Sequence, residues 1–161
     1  MTARDEFFAA LRQAAKPDVA PPELAALRPA RGGELVDQFI AAAERAGAHV
    51  HRGVDADEVV AGRTADEVGV SRAAYGLADT GSVVLLAGPD EPRGRSLLPP
   101  VHVALVSADS LLPGLPELFA ELGPDLSSSV AIVTGPSSSG DIEQQITIGV
   151  HGPGEVHIVL V

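Results

Sequence analysis

The sequence predicts an α/β domain in which a mostly parallel sheet is covered by helices. Four apolar runs rich in β-branched residues carry this prediction, at positions 83–87, 101–106, 130–133 and 156–161. Nearly unbroken hydrophobicity is typical of strands that are buried on both faces, as in parallel sheets. A helical pattern at 111–122 separates the second and third runs, so we expect a right-handed strand–helix–strand crossover there.

The first 32 residues predict a short helix followed by an arm. Phe7, Phe8 and Leu11 share one face of an amphipathic helix at 3–15. Four prolines follow within 16–32, and because proline donates no amide hydrogen this stretch is expected to be an irregular arm. Arms of this kind often pack on a partner subunit. We therefore divide the chain into a helix and Pro-rich arm at 1–32 and an α/β domain at 33–161.

Shorter elements are predicted between the arm and the first apolar run. The clearest is a helix at 34–46, with Gly47 placed to end it in the left-handed conformation. We also expect a short strand opening at Val50, a helical turn around 57–61, and a helix capped by Ser71 that runs to about Leu77.

Composition excludes several classes of function. The chain of 161 residues has no Cys, which removes disulfides, thiolate nucleophiles and Cys-ligated zinc or iron–sulfur centres. Its 22 acidic and 11 basic residues give a net charge of −11, so nucleic acid and anionic membranes are not expected partners. Without a long apolar span or the pattern of a signal peptide, the sequence predicts a cytoplasmic protein.

A loop rich in glycine and serine follows the third apolar run. Backbone amides and hydroxyls there can approach an oxyanion, and the helix that we expect to start after it adds its dipole. The residues concerned are Gly135, Ser137, Ser139, Asp141 and Glu143. The alternative is that Ser139 or Asp141 only caps that helix. The loop has no Walker lysine, which disfavours nucleotide triphosphate hydrolysis.

Two further turns combine glycine with a reactive side chain or hydroxyls. His151, beside Gly152, is a candidate acid, base, hydrogen-bond donor or metal ligand, or a turn histidine without such a role. Thr80, Gly81 and Ser82 lead into the first apolar run. We expect all these loops at the carboxyl ends of the strands, where ligands bind in open α/β sheets. Arg93 and Arg95 are either anion-binding or solvated. Because the five His lack helical metal spacing, we predict no structural metal, and we expect no cofactor.

Four blocks of sequence together resemble the LUD domain of bacterial lactate-utilisation proteins. The blocks are Leu77–Leu85, Ser96–His102, Gly135–Glu143 and Gly149–Pro153, and the resemblance covers about 66–161. It implies a fold similar to the NagB/RpiA/CoA-transferase group, shortened in this chain and preceded by the helix and arm predicted above. The family's shared motif residues then fall on Thr80, Gly81, Ser82, Pro100, His102, Gly135, Pro136, Ser137, Asp141, Glu143, His151, Gly152 and Pro153.

The resemblance also implies a function. The most similar members are small subunits without Fe–S motifs, which are implicated in oxidising L-lactate to pyruvate with two Fe–S partner proteins. Whether this chain is itself an enzyme stays open. It could instead be a stand-alone enzyme or binder for a phosphorylated, folate or CoA-like ligand, or an interaction domain without a working pocket. Positions 50–65 are shorter than is usual in the family, so we expect an incomplete cleft or a second subunit that completes it, and a homo-oligomer.

Overall fold

The structure is a computed structural model that describes residues 2–13, 34–123, 126–140 and 145–161. The chain divides into two units, Met1–Gly32 and Gly33–Val161. In the first unit, helix α1 spans Ala3–Gln13 and exposes its apolar side chains Phe7 and Leu11. Thr2 and Asp5 exchange hydrogen bonds at its start, which satisfies amides of the first turn. The predicted Pro-rich arm lies outside the described residues.

The described residues of the second unit form three helices, ten strands and two 3-10 turns. The helices are α2 Leu35–Arg45, α3 Ala56–Val59 and α4 Leu115–Leu122, and the 3-10 turns are Arg93–Ser96 and Ala108–Ser110. The strands are β1 His49–Arg52, β2 Val68–Arg72, β3 Tyr75–Leu77, β4 Ser82–Leu86, β5 Val101–Val106, β6 Leu111–Leu112, β7 Val130–Val133, β8 Ser138–Gly140, β9 Ile146–Ile148 and β10 Glu155–Leu160.

These strands form two four-stranded sheets and a hairpin. The first sheet has the order β1-β10-β5-β2 and is parallel throughout. The second has the order β6-β3-β4-β7 and is mixed, since β4 runs antiparallel to both of its neighbours. Strands β8 and β9 form the hairpin. The α/β class and the parallel sheet are therefore confirmed, whereas the runs at 83–87 and 130–133 belong to the mixed sheet.

The predicted crossover between the second and third apolar runs is wrong. Strand β5 lies in the parallel sheet and β7 in the mixed sheet, so the connection at 111–122 passes from one sheet to the other. Leu111 and Leu112 pair with β3 as strand β6, and helix α4 begins only at Leu115. An apolar β-branched run fits the inner strand of either kind of sheet, and sequence periodicity does not reveal the partner.

The helix predicted from Ser71 to Leu77 is also wrong. Ser71 lies in β2, paired with β5, and the chain enters the mixed sheet as β3 after only two intervening residues. Pairing with a strand some 30 positions away in sequence overrides the local helical preference. The helix at 34–46, its termination at Gly47 with a φ of 89° and the short strand at Val50 are confirmed.

Three apolar clusters give the second unit its layers. The cluster between the two sheets includes Phe39, Val83, Leu85, Val156 and Ile158. A second cluster lies between the mixed sheet and α4, and it contains Leu77, Val84 and Leu118. The third lies on the other face of the parallel sheet, where α3 packs on Val101, Val103 and Val159. Because side chains alternate along a strand, each sheet contributes to the shared core and to one outer layer.

Candidate functional site

A row of three hydroxyls joins two of the predicted turns. The Ser82 hydroxyl, buried at the start of β4, is hydrogen-bonded to the hydroxyls of Thr80 at 2.6 Å and Thr134 at 2.7 Å. Thr134 immediately follows β7, which pairs antiparallel with β4. Thr80 and Thr134 are exposed, so the buried Ser82 orients two hydroxyls that solvent or a ligand can reach.

Two glycines bring these turns against the end of helix α2. A Cβ on Gly81 would lie 2.0 Å from the Ala43 backbone nitrogen, and one on Gly135 would lie 1.9 Å from the Ala46 carbonyl oxygen. Both residues have positive φ, of 69° and 65°, which other residues rarely adopt. Only glycine fits at either position, because the backbone of one segment touches the backbone of another there.

Ser137 links this region to the turn that carries His151. The Ser137 amide donates to the Pro153 carbonyl at 2.8 Å, and the Gly149 amide donates to the Ser137 carbonyl at 2.8 Å. A Cβ on Gly152 would lie 3.3 Å from the Ser137 Cβ. The chain from Thr134 to Ser137 therefore joins the hydroxyl row to the turn at 149–154, and we call the hydroxyl row, Ser137 and this turn together the motif rim.

The motif rim lies at the amino ends of the parallel strands β5 and β10, so its predicted location at the carboxyl ends of a parallel sheet is wrong, although the loop from Thr134 does follow β7 as predicted. Gly154 immediately precedes β10, and Pro100 immediately precedes β5. The Gly154 amide donates a hydrogen bond to the Pro100 carbonyl at 2.9 Å. Thr134 follows β7, but β7 runs antiparallel to β4 and its carboxyl end meets the amino end of β4. Strand direction in the mixed sheet decides this placement, and the sequence does not specify it.

The serine-rich loop differs most from its prediction. Ser138–Gly140 form strand β8, and Ile146–Ile148 return as β9, where the sequence predicted a loop and then a helix. Ser139 is half-buried in β8, opposite Thr147. Asp141 and Glu143 lie outside the described residues. His151 is exposed on its turn, and nothing described holds its side chain in place.

His102 is not part of the motif rim surface. It lies in β5 with no exposed area, and neither ring nitrogen has a hydrogen-bond partner among the described residues. Burial lowers the pKa of His102 from 6.5 to about 4, and nearby Glu91 opposes this only in part. At neutral pH the ring is therefore uncharged, and it acts as part of the core between the sheets.

The two predicted cations have different surroundings. Arg95 lies 3.6 Å from the Glu91 carboxylate and donates to the Asp90 carbonyl, whereas Arg93 is exposed in its 3-10 turn. Arg95 and Glu91 line a cleft of about 450 Å³ beside Ser71, whose buried hydroxyl has no described hydrogen-bond partner. Sequence reasoning missed this cleft, because Ser71 was assigned to a helix and no local pattern brings it near Glu91.

Comparison with known proteins identifies the family. The LUD domain model matches residues 64–161. This chain belongs to the LUD domain family. The resemblance of the four sequence blocks to the LUD domain is thereby confirmed.

Several relatives of this LUD-domain chain carry the name lactate utilization protein C. The one from Halalkalibacterium halodurans is 39% identical over 93 residues, which is 54% of this chain and 40% of the relative. The one from Bacillus subtilis is 34% identical over 100 residues, 58% of this chain and 42% of the relative. The matched segment thus spans about two fifths of the length of these curated relatives.

A solved structure shares the fold. The crystal structure of a DUF162 family protein from Deinococcus radiodurans superimposes with a TM-score of 0.59 at 19% identity, covering 83% of this chain and 99% of that one. The likeness supports the architecture alone. Within the described part of the chain, no helix has the length and apolar character needed to cross a bilayer.

Proposed function

We propose that this LUD-domain chain binds a small carboxylate of the lactate or pyruvate class at the motif rim and works with Fe–S proteins in L-lactate utilisation. Its relatives named lactate utilization protein C support the metabolic context. The 161 residues contain no Cys, so Cys-ligated clusters that carry the electrons would belong to partner proteins.

The observation that carries the carboxylate proposal is the hydroxyl row Thr80–Ser82–Thr134. A hydroxyl group can donate a hydrogen bond to a carboxylate oxygen. The two bonds within the row use two of its three hydrogens, so one exposed outer hydroxyl, held in place by Ser82, is free to donate. These donors are neutral, and the chain has a net charge of −11, which disfavours ligands that carry several negative charges. A monocarboxylate suits such a site better than a polyphosphate.

A phosphorylated, folate or CoA-like ligand receives less support from the described residues. That alternative relied on a helix N-terminus after the serine-rich loop, and strand β8 occupies positions 138–140 instead. An oxyanion at this place would have to be bound by turn amides and hydroxyls without a helix dipole.

Ligand binding by the full chain tests the proposed site. We expect L-lactate or pyruvate to raise the melting temperature in a saturable way, because a ligand that binds only the folded state stabilises it. At least one of Thr134→Val and Thr80→Val should weaken binding about tenfold, because it removes the outer hydroxyl whose hydrogen is free while side-chain volume is almost unchanged. Thr147→Val on exposed strand β9 is the matched control and should bind normally.

Other outcomes contradict the carboxylate site. If Thr134→Val and Thr80→Val bind the carboxylate as tightly as the Thr147→Val control does, the hydroxyl row is not the binding site. Stabilisation by CoA or a sugar phosphate, with none by lactate or pyruvate, would favour the stand-alone alternative.

The partner proposal is tested separately by co-expression with the Fe–S proteins of a lactate-utilisation set, and failure of the three to co-purify would contradict it. Light scattering on the isolated chain tests the expected homo-oligomer.

A further inference from the structure

Three imidazoles lie together at the amino ends of two neighbouring strands. His49 and His51 are two residues apart on β1, so they project from the same face, and His157 on β10 is the register partner of His49. The ring centroid of His157 is 5.1 Å from that of His49 and 5.1 Å from that of His51. This face is the outer one, since Val50 and Val156 between them pack into the core shared by the two sheets.

A carboxylate fixes the orientation of the central ring. The Nε2 atom of His157 is 2.7 Å from Oε1 of Glu155, and a carboxylate can only accept, so Nε2 carries the hydrogen. Arg63 in turn donates to both oxygens of Glu155, at 2.7 and 3.1 Å. In the neutral ring of His157 the lone pair is then on Nδ1.

That lone pair points at a second imidazole nitrogen. Nδ1 of His157 is 2.8 Å from Nε2 of His51, a distance at which the two nitrogens share one hydrogen. A histidine that ligates a metal almost always donates its other ring N–H to a carboxylate or carbonyl, which fixes the ring and strengthens the ligand. Glu155 and Arg63 give His157 this support before any ion is bound.

We propose that His49, His51 and His157 form a binding site for a divalent transition metal ion of the zinc class, with Glu155 and Arg63 supporting His157 from outside the site. The ion replaces the hydrogen between His51 Nε2 and His157 Nδ1, and water takes the fourth position. Neutral imidazole suits zinc, and three protein nitrogens with one open position are the ligand set of catalytic zinc sites. The inference does not rest on the proposed carboxylate function.

Metal binding requires the three imidazoles to rearrange. Among the described residues, no three His, Asp or Glu side chains are placed to hold a metal ion as they stand, and the His51–His157 pair is closed by its hydrogen bond. Tetrahedral zinc with bonds of about 2.0–2.1 Å separates two ligating nitrogens by roughly 3.3 Å, so the pair must open by about half an ångström. Both rings must also turn, because the hydrogen bond now points the two nitrogens at each other instead of at a shared ion. His49 is exposed on the edge strand β1, and its ring can turn toward the ion without disturbing the core.

Zinc titration of the full chain, without a histidine tag, tests the site. After removal of metals with a chelator, calorimetry should find one zinc ion per chain. His51→Ala and His157→Ala should each weaken zinc binding about 100-fold, and Glu155→Gln by about 10- to 100-fold because the support of His157 is lost. His151→Ala removes an exposed imidazole outside the cluster and is the matched control, with affinity expected within about twofold of the parent chain.

Two readouts separate lost ligation from lost folding. The melting temperature of each variant is measured without metal and then with zinc, and zinc should raise it in the parent chain and in His151→Ala but not in His51→Ala. Cobalt(II) gives the coordination number from its visible spectrum, and His49→Ala should change that spectrum even if the fold is unaffected. Binding to the parent chain no tighter than to a folded His51→Ala/His157→Ala double variant would overturn the proposal, as would an equal loss in His151→Ala.

Discussion

His102 lies in the central part of the parallel sheet, completely buried and without a described hydrogen-bond partner. An imidazole in this position packs as an apolar ring while it is neutral, and it becomes costly when it binds a proton. Its presence among the residues that the LUD resemblance singles out therefore has a structural explanation. The ring fills the layer between the sheets, and its chemistry is not available at the surface.

The burial of His102 predicts how stability changes with pH. The pKa is about 4 in the folded chain and 6.5 in the unfolded chain, so between these values only the unfolded chain binds the proton. The free energy of unfolding is therefore highest above about pH 6.5 and falls as the pH decreases toward 4. Over this range the protonation of His102 in the unfolded chain lowers it by roughly 3 kcal/mol. His102→Leu should flatten that part of the profile, measured by urea unfolding at several pH values. A variant with the same pH slope as the parent chain would contradict this assignment.

Gly81 is a second residue whose role is decided by its surroundings. A Cβ there would meet the Ala43 backbone, and φ is already 69°. We expect Gly81→Ala to lower the free energy of unfolding by about 3 kcal/mol, from the unfavourable φ together with the steric overlap. Gly62 is the matched control, because it has a φ of 82° and nothing within 4 Å of the added Cβ. Gly62→Ala should cost about 1 kcal/mol, and equal losses in both variants would show that contact with α2 is unimportant.

At the scale of elements, helix α4 buries one face against the mixed sheet and leaves the other face exposed. Leu118 is completely buried against Leu77 and Val84 of the mixed sheet, whereas the adjacent Phe119 is 67% exposed. Pro116 near the start of α4 costs little, since amides of the first turn have no partner within the helix. The helix is therefore held by one apolar stripe.

Substitutions at these two neighbouring positions should have very different effects. Leu118→Ala removes a buried side chain from the layer that covers the mixed sheet, and we expect a loss of about 2–5 kcal/mol in the free energy of unfolding. Phe119→Ala removes an exposed ring and should change it by less than about 0.5 kcal/mol. Urea unfolding of both variants measures the difference. Similar losses would mean that another surface covers Phe119.

At the scale of the molecule, the unit Gly33–Val161 contains all ten described strands and three apolar clusters of its own. We therefore expect a truncated chain of residues 33–161 to fold cooperatively, with a single unfolding transition by circular dichroism and by fluorescence of Tyr75. It should also retain the zinc affinity of the full chain, because His49, His51 and His157 all lie within it. A truncated chain that lacks a cooperative transition would show that residues 1–32 are required for the fold.

Much of this architecture follows from local sequence. Strands buried on both faces need continuously apolar residues, so the sequence located the runs at 83–87, 101–106 and 156–161. A left-handed cap favours glycine, so it also located the end of the helix at Gly47. The absence of Cys excludes Cys-ligated clusters on this chain, and the charge of −11 disfavours polyanionic partners. The four sequence blocks were enough to place the chain in the LUD domain family, which the match at 64–161 confirms.

Pairing between strands decides the parts of the fold that the sequence does not reveal. Because β7 runs antiparallel to β4, the hydroxyl row of the motif rim lies where β7 ends and β4 begins. Ser71, expected in a helix, lies in strand β2 because this segment pairs with β5. The sequence contains His-x-His at 49–51 and Glu-x-His at 155–157, but these segments are about 100 positions apart. Only the parallel register of β1 with β10 makes them neighbours, because the energy that selects a strand's partner comes from contacts between distant segments.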